Sequence, residues 1–224
     1  MDGVSTGVYT NPLGIITGVS VQINHEQIAH VNTVLQSAPQ KALVVYRRAI
    51  GRGLSAGRVQ ANKEIKTRYD ISNASLNNNG GHSYSTYDED IREDGGGVVG
   101  RINFAGSKIP LYRFHPSPAA RTYTTRYVNQ MSGWRVTTDV SAADVRGQML
   151  RRRTAFIATM PSGHTGIWER TGDITTGGKE AIREFWGFSV RDMLDYEPAR
   201  EAIQNRMADI VSQRINHELL RALD

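Results

Sequence analysis

After a short opening run, the spacing of apolar residues along this chain changes twice, from helical to alternating and back, and those changes predict helices on either side of a β-rich middle. Residues 14–23 (GIITGVSVQI) carry β-branched side chains in a short run and predict a strand. Asn24 then fits an N-cap, and Ile28, Val31, Val34 and Leu35 recur at three- and four-residue spacing, predicting an amphipathic helix over 24–36. Ser37 and Pro39 open a second helix that should end near Tyr69. Its apolar positions are Leu43, Val44, Tyr46, Ile50, Leu54, Val59 and Ile65, with basic residues on the other faces. Gly51, Gly53 and Gly57 each weaken such a helix by about 1 kcal/mol relative to alanine, which implies a kink or close packing against a neighbour there.

Residues 73–97 contain NNNGG, an acidic cluster and GGG with few apolar anchors, and read as a long loop or mobile hairpin. Strands are then predicted over 98–104, 109–114, 121–128 and 133–140. In the last, Trp134, Val136, Thr138 and Val140 alternate with Arg135, Thr137 and Asp139, the pattern of a sheet buried on one side. Residues 141–152 read as a short helix capped by Ser141, and 155–160 with 165–170 as a strand pair around Pro161, Ser162, Gly163 and His164. A C-terminal helix begins near Pro198, with Ile203, Met207, Ile210, Val211, Ile215, Leu219 and Leu223 as one apolar stripe. The fold expected is α+β: an antiparallel sheet packed with a long basic N-terminal helix and a C-terminal amphipathic helix. An arm with the first strand (1–23) precedes a single domain (24–224).

Composition narrows the class. A chain of 224 residues suits one sizeable core or one compact domain with extensions. Mean hydropathy is −0.43, and no window holds the roughly 18 to 20 apolar residues a spanning helix needs, so no membrane partner is expected. Residues 1–8 are rich in Gly, Ser and Thr and carry Asp2 where a secretory leader would be basic, which reads as a flexible arm. There is no cysteine, hence no disulfide and no thiolate metal site, which fits a reducing cytoplasm or indifference to redox state. The net charge of +5 is clustered. Lys41, Arg47, Arg48, Arg52, Arg58, Lys63, Lys66 and Arg68 are opposed only by Glu64. A second basic stretch holds Arg121, Arg126, Arg135, Arg146 and the triplet Arg151, Arg152, Arg153. Between the two lie Asp88, Glu89, Asp90, Glu93 and Asp94. Blocks of alternating sign suit a subunit that docks against others.

Catalytic and metal chemistry find little footing. The histidines (His25, His30, His82, His115, His164, His217) show no metal-ligand spacing, so no metal or other cofactor is expected. The series Asp88, Asp90, Arg92, Asp94 puts an arginine where a calcium loop needs a ligand, and a solvated acidic loop explains it better. The glycine runs match no phosphate-binding loop. Ser162 beside His164 is better read as a turn than as a catalytic pair. The basic helix admits two readings: contact with a polyanion, and a solvated or partner-paired face. Tyr84, Tyr87, Tyr112, Tyr123 and Tyr127 favour sheet and interface packing over base stacking.

Four pieces of the chain resemble the minor tail protein Z family of long-tailed phages, described as tail-completion proteins. They are KEIKTRYDIS (63–72), INFAGSKIPLYRF (102–114), TAFIATMPSGHTGIWERTG (154–172) and REFWGFSVRDML (183–194). The third is the most specific, through Ala155, Phe156, Ile157, Ala158, Ser162, Gly163, His164, Gly166, Ile167, Trp168 and Arg170. The resemblance runs from about residue 42 to the end. It departs at 171–178 (TGDITTGG), a looser connection than the family pattern, and at 73–97, which is longer.

This resemblance implies a non-enzymatic virion protein at the head-proximal end of the tail, made in the host cytoplasm. It implies a ring of copies, sixfold like tail tubes, around the DNA channel, touching tail-terminator, tail-tube or neck proteins and taking part in head-tail joining. Family motif and interface candidates are Phe156, Gly163, His164, Gly166, Trp168, Arg170, Phe185 and Trp186. A DNA conduit needs diffuse basic charge without base readout, so some of Arg47, Arg48, Arg52 and Arg58, or of Arg151, Arg152 and Arg153, are expected to face the lumen. The alternative is a free DNA-binding protein without sequence preference, recognisable by salt-dependent affinity of the monomer. An enzyme of lysis or DNA processing would require an acid-base or metal constellation, which the sequence does not show; hydrolase activity lost on changing one histidine would reveal it.

Overall fold

The computed structural model describes residues 4–10, 16–23, 25–35, 39–71, 76, 86–94, 97–105, 107–116, 125–129, 133–136, 140–142, 150–152 and 155–223. The fold is α+β, with two compact units: Met1–Ile65, Ser85–Gly106 and Arg191–Asp224 form the first, Lys66–Tyr84 and Ser107–Val190 the second.

In the first unit, strands β1 (Val4–Thr10), β2 (Ile16–Ile23), β3 (Thr86–Asp94) and β4 (Gly97–Ala105) make an antiparallel sheet in the order β1-β2-β4-β3. Helices α1 (His25–Val34) and α2 (Pro39–Arg68) follow β2 in the chain; the short α3 (Val190–Leu194) and the long α4 (Glu197–Leu223) close it. Strand alternation sorts the side chains. Val19, Val21 and Ile23 of β2 are buried with Val98, Ile102 and Phe104 of β4, while Gln22 points to solvent. Gly100, opposite Val21, lies where α2 comes closest. A Cβ there would collide with a methyl of Ile50 and sit 3.1 Å from Leu54 Cδ2.

Small residues fix how α2 packs. Ala42, Ala49, Gly53, Gly57 and Ala61 are buried, and they let α4 approach closely: a Cβ on Gly53 would collide with Val211, and one on Gly57 would lie 2.7 Å from Met207. The two helices run antiparallel, with Lys41 Nζ donating to the Ala222 carbonyl (2.9 Å) at the C-terminal end of α4, where carbonyls lack helical partners. From α4, Ile203, Met207, Val211, Ile215 and Leu219 are buried as the spacing predicts, each contributing about 1.5–3 kcal/mol. Tyr46 of α2, 3% exposed, donates its hydroxyl to the Ile28 carbonyl of α1 (3.1 Å).

The second unit holds the antiparallel pairs β5 (Thr125–Asn129) with β6 (Gly133–Val136) and β7 (Val140–Ala142) with β8 (Leu150–Arg152). It also holds a three-stranded antiparallel sheet of β9 (Ala155–Thr159), β10 (Thr165–Ile174) and β11 (Glu180–Glu184), in the order β11-β10-β9.

Several expectations are corrected. Val4–Thr10 is not an arm but a strand, its alternating Val4, Thr6 and Val8 pairing with Ile23, Val21 and Val19. Of the loop or hairpin expected at 73–97, Thr86–Asp94 is strand β3, paired antiparallel with β4, because the ladder satisfies the backbone whatever the side chains, and an edge strand tolerates charge; residues 73–75, 77–85 and 95–96 lie outside the described ones. Residues 109–114 do not form a strand: Pro110 makes one bridge to Trp186, and Leu111–Arg113 then turn as a 3-10 helix. The helix expected at 141–152 is replaced at both ends by β7 and β8, where strand pairing outweighs local propensity; residues 143–149 lie outside the described ones. Of the strand expected over 133–140, Gly133–Val136 and Val140 are in strands; residues 137–139, and the side chains of the others, lie outside the described residues. On α2, Leu43, Val44 and Val59 are 41%, 44% and 68% exposed rather than buried, because the inner face is the one that carries the small residues.

Two outcomes follow from this packing. Gly53→Ala should destabilise the fold by about 1–3 kcal/mol in urea titrations despite alanine's better helix propensity, since Val211 is branched and stiff. Gly57→Ala should cost less, because the nearest atoms belong to the flexible Met207 thioether. Burial also pushes the Tyr46 phenol up from its usual 10.0 to about 12. The folded chain therefore keeps a proton that the unfolded chain releases. The stability tied to Tyr46 is intact below pH about 10 and falls as pH rises toward about 12, by at most about 2–3 kcal/mol. Urea midpoints followed across that range should fall more steeply for the wild type than for Tyr46→Phe.

Candidate functional site

Two groups of residues stand out, one in each unit. The first is the outer face of α2. From Pro39 to Asn62 this helix carries no acidic residue, and Arg47, Arg48, Arg52 and Arg58 are all exposed. At 3.6 residues per turn they fall into two rows about a third of a turn apart: Arg47 and Arg58 on one flank, Arg48 and Arg52 on the flank toward α4. The exposed Leu43, Val44 and Val59 lie among them. Arginine and exposed aliphatic side chains are thus interleaved on this face, a composition also met at protein contacts.

The second row borders a cleft between α2 and α4, lined by Arg48, Gly51, Arg52, Ser55, Glu218 and Arg221. Glu218 is 8% exposed, and its carboxylate lies 3.5 Å from the Arg48 guanidinium. With Arg48 half exposed, that pair contributes about 1 kcal/mol or less to stability, and its effect is to orient the arginine.

In the second unit parts of all four motif pieces come together; residues 63–65, 102–106 and 191–194 of those pieces belong to the first unit. The N–H groups of Ile109 and Leu111 donate to the carbonyls of Phe188 (3.2 Å) and Phe185 (2.9 Å), and Gly187 N–H donates to Ile109 (2.8 Å). Phe185 N–H in turn donates to the Ile167 carbonyl (2.8 Å), joining the segment to β10. Gly187 is required here, since a Cβ would lie 2.7 Å from the Phe114 ring. The Tyr69 ring meets Phe188 edge-on at 5.5 Å, and Asp70 lies 3.0 Å from His115 Nδ1, so the end of the first piece packs in the same unit.

The Ser-Gly-His turn has a structural logic of its own. Gly163 takes φ +85°, closing the β9–β10 hairpin, and Met160 N–H bonds the His164 carbonyl (2.8 Å). His164 Nε2 is 2.7 Å from a carboxylate oxygen of Glu184, whose side chain is 8% exposed. Gly166 leaves the space this carboxylate occupies, since a Cβ would collide with it. Trp168 stands edge-on to His164 at 6.0 Å and donates its indole N–H to the Ala158 carbonyl (3.1 Å). Arg170 lies over the Phe156 ring at 5.6 Å and pairs with Glu180 at 3.3 Å. Trp186 is half exposed.

The structure thus gathers His164, Gly166 and Trp168 around one buried acid, with Arg170 and Phe156 on the same sheet. Phe185 and Trp186 are held where the 107–111 segment runs alongside. Arg151 and Arg152 lie in β8 with side chains outside the described residues, as is all of Arg153. Sequence reasoning missed Glu184 and Glu218. The only signal for either was a carboxylate placed among apolar residues, in REFWGF and next to Leu219. The connection at 171–178 is an extended hairpin: the ladder shifts between Arg170 and Ile174 at Gly172 (φ +85°), and Thr175 and Lys179 close the tip through 2.8 Å bonds.

Among the described residues, no helix is long and apolar enough to cross a membrane, and no group of three His, Asp or Glu side chains could hold a metal ion. No family model, curated protein or solved structure matches the chain.

Removing His164 should leave the buried Glu184 without its ring donor. His164→Ala is expected to cost about 2 kcal/mol in thermal or urea unfolding, and His164→Gln, which keeps a donor, to recover part of it.

Proposed function

We propose that this protein is a structural subunit completing the head-proximal end of a phage tail, where copies form a ring around the DNA channel and take part in head-tail joining. The observation that carries this reading is that Tyr69, Ile109, Leu111, Ile167, Phe185 and Phe188, drawn from all four motif pieces, pack together in the second unit.

The outer face of α2 supplies the role. Its exposed aliphatic residues favour contact with other copies or with tail-terminator, tail-tube and neck proteins, and its cations favour DNA passing without sequence readout. Sixfold symmetry is the stoichiometry the resemblance implies. A head-to-tail interface that closes by rotation would place equivalent α2 faces around the axis.

Class-averaged electron micrographs of tails assembled with and without this protein test the reading. We expect a closed ring of density at the head-proximal end only when the protein is present, and failure of such tails to join heads in its absence. Tails that look the same and join heads equally well without it would refute the proposal.

A further inference from the structure

We propose that the cleft between α2 and α4 is a phosphate-binding site that seats one phosphodiester group of the DNA backbone; this rests on the reading that the outer face of α2 meets DNA. The cleft measures about 380 Å³, ample for a phosphate with bound water, and it opens to solvent. Arginines from two different helices line it. Arg48 is paired with Glu218, whereas Arg52 and Arg221 have no carboxylate partner among the described residues. Glu218 therefore offsets one cation and leaves two, so the cleft favours an anion. Ser55, three residues after Arg52, lines the same cleft; its hydroxyl now donates to the Gly51 carbonyl (2.9 Å) and is free to rotate toward a ligand oxygen.

Rigidity distinguishes this place from the rest of the basic surface. The walls are backbones locked together by the packing of Gly53 on Val211, so the arginine stems start from fixed positions. A guanidinium fork matches two oxygens of a phosphate, and two forks from opposite walls can hold one group from both sides. Gly51 adds no side chain to the lining. Arg47 and Arg58, on the other flank of α2, do not line the cleft and are the natural control.

Titration of the full chain with inorganic phosphate, followed by NMR of the arginine Nε–H groups, tests the site. A second titration with a short DNA duplex at several salt concentrations tests its source of phosphate. We expect saturable shifts at Arg48, Arg52 and Arg221; followed at Arg48, which the double variant keeps, phosphate affinity should weaken at least about tenfold in Arg52→Gln/Arg221→Gln and be unchanged in Arg58→Gln. For the duplex, the double variant should lower the slope of log affinity against log salt by about 2. Phosphate shifts that are absent, or that survive the double substitution, overturn the site. Duplex binding whose salt slope does not change in the double variant also overturns it, while leaving DNA contact through the rest of α2 intact. Saturable phosphate binding at Arg52 and Arg221 without any duplex binding keeps the anion site and removes its assignment to DNA.

Discussion

The close approach of α2 to α4 and to the sheet governs the first unit. It depends on what the inner face of α2 lacks. Gly53 and Gly57 leave room for Val211 and Met207, and Gly100 on β4 leaves room for Ile50 and Leu54. With the backbones this near, the larger side chains of α4 fill the space between, and α2 keeps three glycines that would weaken an isolated helix by about 1 kcal/mol each. The compensation is packing. It also sets the outer face, because once the small residues face inward, the arginines and Leu43, Val44 and Val59 have nowhere to go but out.

The second unit is organised by a different constraint, a buried carboxylate. Glu184 needs a donor in an apolar setting, and the chain supplies His164 from the preceding hairpin while Gly166 withholds a side chain that would collide with it. A histidine, a glycine two residues on and a tryptophan two further are then the residues that make room for one acid and bond around it. On this account the most recognisable stretch of the sequence is a device for folding, and the residues available for contact are elsewhere, on α2 and along the half-exposed Trp186.

Much of the fold was legible because it rests on local periodicity. The helices at 25–34, 39–68 and 197–223 and the β9–β10 pair follow from spacing and turn residues alone. What was not legible depends on distant partners. The acidic segment at 86–94 has no apolar pattern, yet β4 gives it a nine-residue ladder. Pro110 turns an apparent strand into a bridge and a 3-10 turn. On α2 the close packing expected at the glycines is found at Gly53 and Gly57, whereas Leu43, Val44 and Val59 are exposed, because periodicity alone does not say which of two faces with aliphatic residues turns inward. The candidate arginines Arg48 and Arg52 were visible as charge, but their convergence with Arg221 and Glu218, more than 160 positions away in the chain, was not.

The central claim is that α2 holds the fold with its small inner face and makes assembly contacts with its outer one. The chain has no cysteine, so a single Val59→Cys substitution at a side chain 68% exposed gives one reporter. Its rate of maleimide labelling should be that of a free surface thiol in the isolated chain and at least about tenfold slower in assembled tails, where the contact excludes reagent and water. Equal rates in the isolated chain and in the particle would contradict the account.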